Sequence, residues 1–99
     1  MTHFRHRSDA SRQAIVDILE RLGWSVRLLS GGDGTPDLLL ARGGRTVVCE
    51  VKSGQTGYGK RLRASQTAWR DGWRGDYVVL HSEAEAAAWA LAGRGQEGR

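Results

Sequence analysis

The chain has one cysteine, one proline and one methionine among its 99 residues. The lone thiol, Cys49, excludes an internal disulfide and any zinc site built from several cysteines. Its place between Val48 and Glu50, inside an apolar run, reads as a buried core thiol. A single proline excludes a Pro-rich linker. No apolar run reaches the roughly 18 residues of a membrane span, and the N-terminal stretch THFRHRSDASR is basic and polar where a leader would be apolar. A soluble, cytoplasmic protein without a membrane partner is expected. The three histidines, His3, His6 and His81, have no spacing that suits zinc. Acidic residues are outnumbered, 11 against 15 basic, for a net charge of +4. In a small domain that balance points to a polyanion, nucleic acid first and an anionic membrane second.

Glycine is frequent, at 14 residues, and there are four tryptophans. The length supports one domain, 1–99, with a modest core. Residues 1–7 (MTHFRHR) read as a basic arm. Ser8 then offers an N-cap with Asp9 in the first turn. Ile15, Ile18, Leu19 and Leu22 follow at one-face helical spacing, with Gln13, Asp17 and Glu20 opposite and Gly23 as the stop. WSVRLL (24–29) alternates like a half-buried strand, GGDGTP (31–36) is a loop and DLLLA (37–41) a short apolar strand. Gly43-Gly44 makes a hairpin turn into TVVCEVK (46–52), the strongest strand signal in the chain. SGQTGYGK (53–60) reads as a mobile loop. From Arg61 a helical period returns, with Leu62, Gln66, Trp69 and Trp73 on one face, broken by Gly72 and Gly75. DYVVLHS (76–82) is a further buried strand, and Ser82 caps a last helix, EAEAAAWALA, before a frayed tail at 93–99. The order α-β-β-β-α-β-α implies a crossover between the third and fourth strands. One α/β domain with a mixed four-stranded sheet flanked by helices is therefore expected.

Asp37 opens one strand, and Glu50 and Lys52 lie near the end of its hairpin neighbour. Strand side chains alternate, so Glu50 and Lys52 share a face while Val51 points to the core. A turn at Gly43-Gly44 places residue 37 opposite residue 50. Two carboxylates that close repel unless one takes a proton or a hard cation joins them, and two carboxylates plus waters are a common way to hold Mg²⁺ or Mn²⁺. Such an ion activates water against a phosphodiester, and a lysine on the same face orients that water and offsets developing charge. The same spacing equally fits a turn aspartate after Pro36 and a surface Glu50–Lys52 ion pair.

G-T-P-D-L-L-L (34–40), then E-V-K-S (50–53), resembles the PD-(D/E)XK nuclease superfamily. L-R-A-S-Q-T-A-W (62–69) followed by G-D-Y-V-V-L-H-S-E-A-E-A (75–86) is similar to its VRR-NUC family, and the resemblance covers about 11–91. It implies a restriction-endonuclease-like core and a metal-dependent deoxyribonuclease like the small stand-alone phage and bacterial members. Those are associated with flapped DNA or Holliday junctions and with homodimers. It implies Asp37, Glu50 and the Val51 backbone carbonyl as ligands of Mg²⁺ or Mn²⁺, Lys52 as the catalytic lysine and Gln66 as a site residue reaching in from the second helix. Independently, a glutamine on an apolar helix face needs partners for its amide. One departure stands out. Many members carry an acid early in the first helix, where this chain reads S-D-A-S-R-Q-A, with Arg12 or Gln13 at the expected place and Asp9 as the nearest acid. Arg5, Arg7, Lys60, Arg61 and Arg63 are the candidate DNA-phosphate contacts. Trp24, Trp69, Trp73 and Trp89 all fall where core packing wants them. The alternatives are a DNA-binding module that keeps the fold without cleavage, and a structural protein in which the acids and lysine form an ion pair.

Overall fold

Helix α1 (His3–Arg21) opens the computed structural model, which describes residues 3–54 and 61–97, with side chains from 10 to 54 and from 61 to 92. The expected N-cap at Ser8 is not where the helix starts. No glycine or proline interrupts residues 3–7, so the helix runs back through them to His3. Ile15 and Leu19 are fully buried, Ile18 and Leu22 pack against them, and Gln13, Asp17 and Glu20 face solvent as the periodicity predicts. Gly23, at φ 99°, ends the helix in a left-handed conformation that favours glycine.

The sheet has four strands among the described residues, in chain order: β1 (Ser25–Leu28), β2 (Leu38–Arg42), β3 (Arg45–Val51) and β4 (Asp76–Leu80). β1 and β2 pair antiparallel, as do β2 and β3, and β4 lies parallel to β3 after the crossover. Gly43 and Gly44 both have positive φ, 58° and 85°, which suits the tight two-residue β2–β3 turn. Only Val26 of β1 is buried, and Leu28 is exposed.

Alternation along β3 divides the molecule into two layers. Val47 and Cys49 point to the core with Leu38, Leu40 and Leu80, against α1 and α3 (Glu83–Glu97). Val48, Glu50 and Lys52 point to the opposite face, where α2 (Ala64–Gly72) lies and where Gln66 is its buried residue. Ser82 caps α3 as expected: its Oγ accepts from the Glu85 N–H at 3.1 Å, and the Glu85 carboxylate accepts from the His81 N–H at 2.6 Å. The helix then runs on to Glu97, past the point at 93 where the sequence predicted a frayed tail. A helical glycine costs only about 1 kcal/mol relative to alanine and does not block propagation as proline does.

The tryptophans split into two pairs. Trp24 is buried and lies 4.6 Å, centroid to centroid, from Trp89 over the core, with the Arg45 guanidinium above both rings. Trp69 and Trp73 are not core residues, contrary to expectation: Trp69 is half-buried and Trp73 is 41% exposed. They belong to α2 and its C-terminal end, on the second face of the sheet, where no further helix covers them among the described residues. Most of the expected loop at 53–60 lies outside the described residues.

Candidate active site

Pro36, fully buried, leads the chain into β2 and fixes the approach of Asp37. The β2–β3 register pairs Leu38 with Cys49, so Asp37, one residue earlier, meets Glu50 across the strands as the turn predicts. The Asp37 Oδ2 accepts the Val51 N–H at 2.8 Å, which ties this carboxylate to the end of β3. The backbone carbonyl of Asp37 in turn accepts the Leu29 N–H at 2.8 Å.

Glu50 and Lys52 are buried, at 3% and 8% exposure. A surface ion pair on a wet strand face does not describe them. Glu50 Oε2 accepts from Gln66 Nε2 at 3.0 Å, while Gln66 Oε1 accepts from the Arg63 N–H at 2.8 Å. Gln66 therefore closes the first turn of α2 with one end of its amide and holds the glutamate with the other, so both amide functions of this buried residue are used. Glu50 Oε1 is buried and makes no hydrogen bond among the described residues. Burial first, the neighbouring Asp37 charge second and a proton that the Asp37 and Glu50 carboxyls can share third push the Glu50 carboxyl up to about 8, against the opposing pull of Lys52 and Arg63. Cys49, on the other face, is pushed well up by burial and by the same two acids, which leaves it an inert core thiol.

Arg12 comes from the first helix into the position where an acid was sought. Its Nη1 lies 3.9 Å from Asp37 Oδ1. Gln13, the other residue at that place in the sequence, instead donates to Asp17 Oδ1 at 2.9 Å on the exposed side of α1. The side chains of Asp9, Arg5, Arg7 and Lys60 lie outside the described residues. Arg61 and Arg63 are exposed at the entry to α2. His81, expected within a strand, follows β4 and pairs through Nδ1 with Glu85 Oε1 at 2.8 Å. A cavity of about 210 Å³ is lined by Ser11, Ile15, Ser53, His81, Ser82 and Glu83, and none of Asp37, Glu50, Lys52 or Gln66 is on its wall.

The donor set fits a hard divalent cation held by few protein ligands. Two carboxylates converge, one carboxylate oxygen is buried without a partner, and such ions keep much of their water. No three His, Cys, Asp or Glu side chains converge as a metal cage among the described residues. Sequence reasoning brought together Asp37, Glu50, Lys52 and Gln66; it missed the Arg12–Asp37 contact, for which the arginine in place of an acid was the available signal. Compared with known proteins, the chain matches no family model, no curated protein and no solved structure.

Proposed function

We propose that this chain is a divalent-metal-dependent nuclease of the PD-(D/E)XK kind that hydrolyses DNA phosphodiesters, with Asp37 and Glu50 holding Mg²⁺ or Mn²⁺. The observation that carries this reading is the buried Glu50 carboxylate beside Asp37, one oxygen held by Gln66 and the other without a partner. Two like charges in a poorly solvated place are costly, and a cation between them removes the cost. The Val51 carbonyl as a third donor belongs to the same proposal, as do the restriction-endonuclease-like core, a preference for flapped or branched DNA and homodimer pairing.

The ion, when bound, supplies a polarised water and neutralises charge at phosphorus. The chain's own residues do the positioning. Gln66 fixes the Glu50 carboxylate and the Val51 N–H fixes that of Asp37. Lys52 places a positive charge on the same face, where it orients the attacking water and offsets charge on the phosphate oxygens. Arg61 and Arg63 hold flanking phosphates, a role that the sequence pattern also suggests for Arg5, Arg7 and Lys60. The test is cleavage of labelled duplex, flap, splayed and four-way-junction DNA with Mg²⁺, Mn²⁺ or EDTA. Wild type cuts only with metal, and Lys52→Ala and Asp37→Asn each lose roughly a hundredfold or more while still binding DNA. Cutting in EDTA, or undiminished cutting by both variants, removes the proposal.

Arg12 favours a second reading. A guanidinium beside Asp37 neutralises charge as a cation would, which suits a DNA-binding module without chemistry. That protein binds DNA with a steep salt dependence and cuts no substrate. Arg12→Glu separates the readings: metal-dependent cutting gained only in this variant identifies the silent module.

A further inference from the structure

The second face of the sheet carries aromatic surface that the proposed chemistry does not use. Trp69 and Trp73 stack with ring centroids 5.2 Å apart and planes 25° from parallel, and Trp69 also lies 6.2 Å from the Tyr77 ring. Trp73 is held in place: one face meets Trp69, its indole N–H donates to the Asp76 carbonyl at 3.0 Å, and Gly75 leaves room for the ring where a Cβ would sit 2.9 Å from Nε1. An aromatic side chain fixed in this way and still 41% exposed offers a ready stacking surface, because little further ordering is needed on binding.

Its position and surrounding charge identify the occupant. Gln66 and Trp69 lie one turn apart on α2 and Trp73, at its C-cap, stacks on Trp69, so the aromatic track begins one helical turn from the group that holds Glu50. Residues 61–74 contain four arginines and one aspartate, Asp71, which Arg70 already engages at 3.3 Å. Asp76, beside the track, is engaged by Arg45 at 3.0 Å. A phosphate backbone therefore meets net positive charge there. A second copy of the chain is a poorer fit: the other exposed large apolar residues among those described, Leu28 and Leu91, sit on β1 at the far edge and on α3 across the sheet, so no contiguous apolar patch forms.

We propose that Trp73 and Trp69, backed by Tyr77, form a stacking platform for unpaired nucleotides, so that single-stranded nucleic acid is bound next to the candidate site. The link between platform and site rests on the nuclease reading, but the platform itself does not. The experiment measures anisotropy of labelled single-stranded oligothymidine and of a duplex of equal length, in EDTA, with intrinsic tryptophan fluorescence followed in parallel. Wild type binds the single strand with quenching. Trp73→Ala weakens single-strand binding roughly tenfold with duplex binding changed by less than about twofold, Trp73→Phe restores most of it, and Leu28→Ala, at the far edge of the sheet, leaves it unchanged. Equal affinity in Trp73→Ala and wild type overturns the platform, as does an equal loss for duplex and single strand. A fall in sedimenting mass of Trp73→Ala relative to wild type would show a self-association surface and also overturn it. Binding through Trp73 without cleavage keeps the platform and removes the nuclease; metal-dependent cleavage by a protein whose single-strand binding is unchanged in Trp73→Ala does the reverse.

Discussion

Glu50 sits in a place that favours its neutral form, and this makes the protein's stability depend on pH in a defined direction. Its carboxyl is raised from 4.5 to about 8, chiefly by burial. Below pH 4.5 it is protonated in both the folded and unfolded chain, and the stabilising effect of the raised value is fully present. As pH rises toward 8 the unfolded chain ionises this group freely while the folded chain resists, so stability is lost across that window and levels off above it. Thermal melts of EDTA-treated protein should therefore fall in Tm between pH 5 and 8.5, with a shallower fall in Glu50→Gln. An identical slope in both proteins rules out Glu50 as the cause. Tyr77, pushed up to about 12 by burial and by Glu50, titrates outside that range and does not confuse the measurement.

At the scale of elements, the loop before β2 and the first turn of α2 act as one unit. Gly34, at φ 85°, lies so close to this turn that a Cβ would collide with the Ser65 carbonyl and would also meet the Gln66 nitrogen at 2.9 Å. Gly34→Ala should cost about 2–4 kcal/mol, combining backbone strain with overpacking, and should shift Gln66 away from Glu50. Urea denaturation measures the first effect, and a loss no larger than that of Gly44→Ala, where the space is open, rejects the steric account. The β2–β3 hairpin was legible in sequence because turn chemistry and strand alternation agree on one register, which set Asp37 against Glu50. Gln66 was legible as a buried amide in need of partners. The start of α1, the continuation of α3 and the exposure of Trp73 were not. Helix ends depend on marginal local preferences, and an apolar spacing on α2 does not say whether anything lies above it.

For the molecule as a whole, strand order follows chain order, and only β4 arrives by crossover. The pairs that join β1, β2 and β3 are local in sequence, whereas those between β3 and β4 span a longer connection; the contact of Gln66 with Glu50 is as far apart in sequence as the widest β1–β2 pair. Loop closure favours the local pairs first. A folding order in which the three-stranded meander pairs first and α2 and β4 dock last would leave both acids in water until docking encloses Glu50. On that order, we expect the desolvation of Glu50 to follow the rate-limiting barrier. At pH 8.5, Glu50→Gln should slow unfolding and leave the folding rate nearly unchanged in a denaturant chevron. A change carried by the folding limb would mean that the lid over the acids closes first. In kinetic terms, the pair of charges that suits the proposed chemistry also governs how long the native state survives once formed.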